Sequence, residues 1–194
     1  MKIAVYNIKG GVGKTRIALN LALTLDCAII TNETYSPTLE KILDPKRFMK
    51  LGIDQKLENY KDDFDIVFDF GGFLDKRITK ALKQSDFVIV PTVNEYDDFA
   101  ATISILPEIE EYNKNILIVA NKTQKGDFEH IKKGIKQFYK YPVFELKLSR
   151  AFPNITNEEK SIREMVKDGG LKAFTYKSIN KQFEKIITHI SKKV

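Results

Sequence analysis

A single cysteine, Cys27, stands in the 194 residues, so no disulfide can close within the chain. It lies in an apolar run and reads as a small buried residue in a reducing compartment, not as a nucleophile. No stretch approaches the roughly 18 uninterrupted apolar residues that a membrane-spanning helix needs. The first charged residue, Lys2, leads into a strand-like run and not a signal peptide, so a cytoplasmic location is expected. Internal repeats, low-complexity tracts and Pro/Ser-rich linkers are missing too, which predicts one domain over residues 1–194. A chain of this length can bury most of its apolar surface in a single core.

The net charge of +6 is uneven. Residues 1–97 carry 14 Lys/Arg against 14 Asp/Glu, whereas residues 98–194 carry 18 against 12. A basic half on a neutral one suggests a surface for a polyanion, nucleic acid or anionic lipid. A lysine surplus of purely compositional origin gives the same count.

The most informative stretch is Lys9-Gly10-Gly11-Val12-Gly13-Lys14-Thr15. The apolar run Lys2–Asn7 precedes it, and Arg16 to Leu25 follows with apolar residues at helical spacing. A glycine loop between a strand and a helix start is a phosphate cradle. Its glycines let backbone N–H groups approach the oxygens, and the helix adds unpaired donors and its positive end. Lys14 suits the β- and γ-phosphates and the Thr15 hydroxyl suits Mg²⁺. Arg16 joins the nucleotide-binding candidates. A standard phosphate loop has glycine at position 8; here Ile8 stands there and a second lysine, Lys9, precedes the glycines.

This pattern resembles the deviant Walker A motif of the ParA/MinD superfamily of ATPases. The resemblance implies that Lys9 crosses a dimer interface to the partner subunit's nucleotide. It places Thr31 and Glu33, after a second strand Cys27–Thr31, where the family has aspartates near Mg²⁺ and the attacking water. Thr31 cannot act as a base. Glu33 is left either to hold a water or to cap the next helix.

Residues 38–62 read as helical or irregular. The run Asp65–Phe70 then ends in Asp69, Gly71 and Gly72. An aspartate at the carboxyl end of a parallel strand lies where an open α/β sheet binds its ligand. Asp69 looks like the Walker B aspartate, sharing Mg²⁺ with Thr15. Gly71 takes the switch position, where a backbone N–H senses the γ-phosphate. Glycines in place of the family's prolines predict a loose switch.

A strand over Asp86–Thr92 precedes a helix over residues 96–112, expected to bend or break at Pro107. The strand Asn115–Lys122 brings Asn121 to the sheet edge, where the resemblance implies an adenine contact and a turn-forming role is the alternative. A basic amphipathic helix follows over Phe128–Tyr141, with Ile131, Ile135 and Phe138 inward and Lys132, Lys133 and Lys136 outward. Next come a strand over 142–148, a loop over 149–155, a helix over 157–169 and a last helix from about Tyr176 to Ser191. That last helix has an apolar face, with Lys181 and Lys185 opposite. It reads as a closing core helix, a DNA-phosphate surface or an amphipathic membrane anchor.

The alternation of strands and helices predicts an α/β fold of three layers, a mostly parallel sheet with helices on both faces. Beginning at its first strand, the chain is expected to be a short partition-type ATPase of the P-loop class. That reading implies ATP and Mg²⁺ as cofactors and an ATP-dependent homodimer. It further implies non-specific DNA binding on the nucleoid and a ParB-like centromere-binding partner that stimulates hydrolysis. Lys132, Lys133, Lys136, Lys181 and Lys185 are the DNA candidates, and membrane binding is not expected. The rivals are a MinD-like membrane-positioning ATPase, a dethiobiotin synthetase-like ligase and a weakly hydrolysing nucleotide-binding scaffold. A nitrogenase-iron-protein type is excluded, because its bridging cluster needs two cysteines per subunit.

Overall fold

Residues 1–61 and 63–192 are described by a computed structural model. Among them seven strands form one sheet: β1 (Lys2–Asn7), β2 (Ala28–Thr31), β3 (Phe48–Lys50), β4 (Ile66–Gly71), β5 (Phe87–Thr92), β6 (Ile116–Thr123) and β7 (Val143–Lys147). The spatial order is β3-β2-β4-β1-β5-β6-β7 and every pair is parallel. All six residues of β1 are buried, because helices cover both faces of the sheet. Alternation along β1 sends Ile3 and Val5 to one core and Ala4 and Tyr6 to the other.

The first core lies under α1 (Lys14–Leu25), α2 (Pro37–Ile42), α6 (Ala151–Glu158), α7 (Ile162–Lys167) and α8 (Gly170–Ser191). The second lies under α3 (Lys76–Gln84), α4 (Tyr96–Glu110) and α5 (Asp127–Phe138). This is the expected three-layer α/β architecture. From β1 the chain passes through α1 to one side of the sheet, and from β4 through α3 to the other. The crevice at the carboxyl ends of these strands is where such a sheet takes its ligand.

Several local expectations are corrected. The short strand β3 occupies part of the stretch read as helical or irregular, pairing with β2 from Ile29↔Phe48 to Thr31↔Lys50. Pro107 does not break α4, which ends one turn later at Glu110, so only a bond near its end is lost. The stretch read as a loop at 149–155 is largely α6. Pro153 sits in its first turn, where an N–H has no intrahelical partner anyway. Glu159, at φ 54°, ends α6, and a capping box between Ser161 and Glu164 starts α7, so one expected helix is two. Helix α8 begins at Gly170, earlier than periodicity suggested. Phe138, expected inward on α5, is 68% exposed because the helix stops there.

The buried face of α8 comprises Tyr176, Ile179, Phe183, Ile186, Ile187 and Ile190. That face belongs to the core, which is the closing-helix reading, while Leu171 and Phe174 in the first turns of α8 stay exposed. Among the described residues no helix is long and apolar enough to cross a membrane.

Candidate nucleotide site

Helix α1 starts without the usual caps. Gly13 occupies its N-cap in the left-handed region at φ 97°, no side chain accepts a hydrogen bond there, and the first turn has no acidic residue. Its terminal N–H groups are therefore left for an outside anion. Gly13 is also sterically required, since a Cβ there would lie 2.2 Å from Asn121 Nδ2. Side chains at the carboxyl ends of β1 and β6 brace the loop. Asn121 Nδ2 donates to Val12 O (2.8 Å), Lys122 Nζ to Gly11 O (2.7 Å), and the Lys9 N–H to the buried Asn7 Oδ1 (3.0 Å).

Beside this loop lies a cleft of about 430 Å³. The loop glycines, Lys14, Thr15, Arg16, Glu33 and Asn121 line it on one side, and Lys122, Leu148, Phe152 and Pro153 border it on another. A volume of this order suits a small-molecule ligand with both a charged and an apolar part.

Lys14 is buried, and its ammonium donates to Lys9 O at 2.7 Å. Burial lowers its pKa, while the Asp69 and Glu33 carboxylates push it back up. Asp69 is 1% exposed, and neither of its carboxylate oxygens has a hydrogen-bond partner among the described residues. Burial raises its pKa from 3.8 to about 6, opposed by the neighbouring Thr15 hydroxyl and the Lys14 ammonium. An orphaned carboxylate next to a hydroxyl is a hard-oxygen pair that fits Mg²⁺, which takes one or two carboxylates and completes its shell with phosphate and water. Among the described residues no cluster of three or more His, Cys, Asp or Glu forms a protein-only cage.

The ends of β2 and β4 are joined in a way that residue types alone did not suggest. Thr31 is fully buried and its hydroxyl bridges the two strands, donating to Asp69 O (2.9 Å) and accepting from the Glu33 N–H (3.1 Å). It holds the loop, which is a structural role. Asn32 makes a reciprocal pair with Gly71, its Nδ2 donating to Gly71 O (2.8 Å) while its Oδ1 accepts the Gly71 N–H (3.0 Å). The buried Tyr6 hydroxyl donates to Gly72 O at 2.9 Å. The pair Gly71–Gly72 is therefore pinned by two side chains, which corrects the loose switch expected from its glycines. The Gly71 N–H assigned to sensing the γ-phosphate is here donated to Asn32. Gly71 itself is closely confined, since a Cβ would lie 2.8 Å from Lys14 Cε and 3.1 Å from Glu33 Oε1.

Other candidates are placed as follows. The Lys9 ammonium lies 3.3 Å from Asp98 Oδ1 within the same chain. The Arg16 guanidinium ties α1 to α6 through Thr156 Oγ1 and Phe152 O, so it is engaged away from the loop. Lys132, Lys133 and Lys136 lie together on α5, with Lys132 over the Phe128 ring. Lys181 and Lys185 lie on α8, in the opposite helical layer, so the two sets form separate patches. Asn32, Lys122, Tyr6 and Asp98 were missed. Only Lys122 carried a signal, being next to Asn121 at a strand end.

No protein-family model and no curated protein sequence matches the chain. Solved structures do. An ATP complex of a Cyanothece McdA variant superposes with a TM-score of 0.65 at 13% identity, covering 100% of this chain and 96% of its own. A putative plasmid partition protein of Borrelia burgdorferi bound to AMPPNP gives 0.63 at 17%, covering 100% and 99%. The Pyrococcus horikoshii MinD complexed with Mg-ADP gives 0.65 at 14%, covering 99% and 98%.

The chain has the fold of these McdA, MinD and plasmid partition structures.

Two of those three structures hold a triphosphate or its analogue and one holds Mg-ADP. The sequence-based fold class is thereby established over nearly the whole chain, including the region after Pro142 where motifs were weakest.

Proposed function

We propose that this protein is an ATP-driven dimerising switch of the partition or positioning type. The observation that carries the reading is the uncapped start of α1 behind Lys9–Thr15, with Lys14 inside the cradle and Lys9 on its rim. Asp69 and Thr15 would hold Mg²⁺, which when bound neutralises charge on the transferring phosphoryl group. Lys14 supplies a second positive charge from within the chain. Lys9, partly exposed, supplies a third to the partner's nucleotide. Glu33, exposed beside Lys14, orients the attacking water.

Dimerisation is supported by the surface around the cleft. The loops after β2 and β4 carry Tyr35 and Phe73, and Tyr96 opens α4 after β5; the three are 84%, 84% and 87% exposed. Covering an aromatic side chain contributes roughly 2 kcal/mol, so three on one edge favour burial against a second copy. Non-specific DNA binding rests on the lysines of α5, and a ParB-like protein is the partner that would stimulate hydrolysis. The role places the protein in the cytoplasm on the nucleoid.

Size analysis with Mg-ATP and with Mg-ADP, each with and without duplex DNA, tests the reading. A dimer with ATP alone, and DNA binding only by that dimer, is expected. A monomer under all four conditions would overturn it.

A further inference from the structure

The carboxamide of Asn32 faces the backbone of Gly71 with both of its hydrogen-bonding groups, at 2.8 and 3.0 Å. The β2–β4 ladder ends in register at Thr31↔Asp69, so this pair extends the pairing past the last strand residue of β2 through a side chain. It joins the carboxyl end of β4 to the loop after β2. On one side of Asn32 lies Glu33. On the other lies Gly71, packed against the Lys14 side chain and the Glu33 carboxylate.

We infer that Asn32 is a positioning residue for nucleotide hydrolysis, clamping the carboxyl end of β4 to the loop after β2 so that Glu33, Gly71 and Lys14 keep a fixed relation. The inference rests on the function proposed above and names a residue within that site.

Two physical arguments carry it. Glycine has the widest backbone freedom of any residue, and Gly71–Gly72, with Gly72 at φ 87°, stands next to a lysine that must be held to within a fraction of an ångström. Gly71 is in register with Asn7 of β1 on one side, and on the side facing β2 it has no strand partner, because that ladder ends at Thr31↔Asp69. Tyr6 holds only the Gly72 carbonyl, whereas Asn32 holds both polar groups of Gly71. Second, the chemistry needed at position 32 is narrow. A carboxamide offers a donor and an acceptor in one plane and matches an N–H and C=O of the same residue; a carboxylate offers acceptors only and would oppose the Gly71 carbonyl. Thr31 reinforces the junction from the next position, anchoring the Glu33 N–H to the Asp69 carbonyl. Glu33 is exposed, so these bonds, together with the Ser36 hydroxyl on its carbonyl, are what restrain its backbone beside Lys14.

The test uses the full chain with Asn32→Ala and Asn32→Asp, each checked for a wild-type melting temperature within a few degrees. Three readouts are taken: affinity for a fluorescent ATP analogue with Mg²⁺, kcat for ATP hydrolysis, and hydrogen exchange at the Gly71 amide. The clamp predicts affinity within about threefold of wild type, kcat reduced at least tenfold in both variants, and Gly71 exchange at least tenfold faster in Asn32→Ala. Asn32→Asp, which keeps an acceptor for that N–H, should lie nearer to wild type in exchange. Unchanged kcat, unchanged Gly71 exchange, or equal loss of affinity and kcat each overturns the inference. A wild-type protein that binds no ATP defeats the proposed function instead. In that event, or if wild-type turnover is too slow to measure, the Gly71 exchange rate alone decides the clamp.

Discussion

The Lys9 ammonium lies 3.3 Å from the Asp98 carboxylate at the start of α4, with the two side chains 39% and 21% exposed. The lysine proposed to reach a partner's nucleotide is therefore held within its own chain. A partly exposed ion pair of this kind is worth about 0–1 kcal/mol, enough to bias an equilibrium up to about fivefold without locking it. Asp98→Asn should accordingly raise the fraction of ATP-dependent dimer at a fixed concentration by a few fold and leave ATP affinity unchanged. Sedimentation at several concentrations measures this, and an unaltered or weaker dimerisation would show that Asp98 does not restrain Lys9.

The two lysines of the loop should separate cleanly. Lys14 is buried in the cradle, so Lys14→Ala removes a charge that touches the phosphates and should lower ATP affinity at least a hundredfold. Lys9 is on the rim, so Lys9→Ala should keep ATP affinity within a few fold while abolishing hydrolysis. Equilibrium binding beside a phosphate-release assay distinguishes them. Equal loss of both activities in Lys9→Ala would remove the case for its action in trans.

How much of this site was legible depended on whether a residue acts through its type or through its partner. Lys14, Thr15 and Asp69 are readable because phosphate and Mg²⁺ demand particular groups at particular strand and helix ends, and the fold brings all three together. Thr31 was readable only as an absent aspartate. Its work is a bridge between β2 and β4, and that bridge depends on a pairing register between residues 38 positions apart. Asn32 and Tyr6 share that limitation. The fold itself was written in the continuous apolar runs of β1, β4, β5 and β6, whereas α6 was hidden because Pro153 reads as a loop signal unless it falls in a first turn. The capping box at Ser161 and Glu164 was visible in the residues and marks the true start of α7.

Asp69 makes stability depend on pH. Its folded pKa is raised from 3.8 to about 6, so between those values the folded protein holds a proton that the unfolded chain has released. The group's contribution to stability is thus full below about pH 4 and is lost as pH rises through 6. A shift of this size corresponds to roughly 3 kcal/mol. Without nucleotide or Mg²⁺, wild type should lose stability relative to Asp69→Asn between pH 4 and pH 8, by up to that amount, as read by denaturant titration at each pH. Added Mg-ATP should recover stability for wild type only, because a cation beside the carboxylate favours its charged form. A constant gap between the two proteins across the range would mean that Asp69 titrates normally.

The two basic patches give opposite predictions for DNA. Lys132, Lys133 and Lys136 line one hollow on α5 with Glu129, while Lys181 and Lys185 on α8 stand among the Arg163–Glu184 pair and the Gln182–Glu145 hydrogen bond in the other helical layer. One face of a duplex cannot lie on both layers of a subunit at once. The α5 lysines stand within about one turn of a single helix, with only Lys132 paired among the described residues, to Glu129, so that set is expected to carry the contacts. Each phosphate contact contributes about 0.9 to the slope of log affinity against log salt for duplex DNA. Replacing Lys133 and Lys136 by alanine should therefore reduce that slope by about two per subunit in the ATP-bound state, with little dependence on DNA sequence. Replacing Lys181 and Lys185 should leave the slope near that of wild type. The reverse pattern would move the DNA surface to α8, and equal small effects from both pairs would show that neither patch faces the duplex.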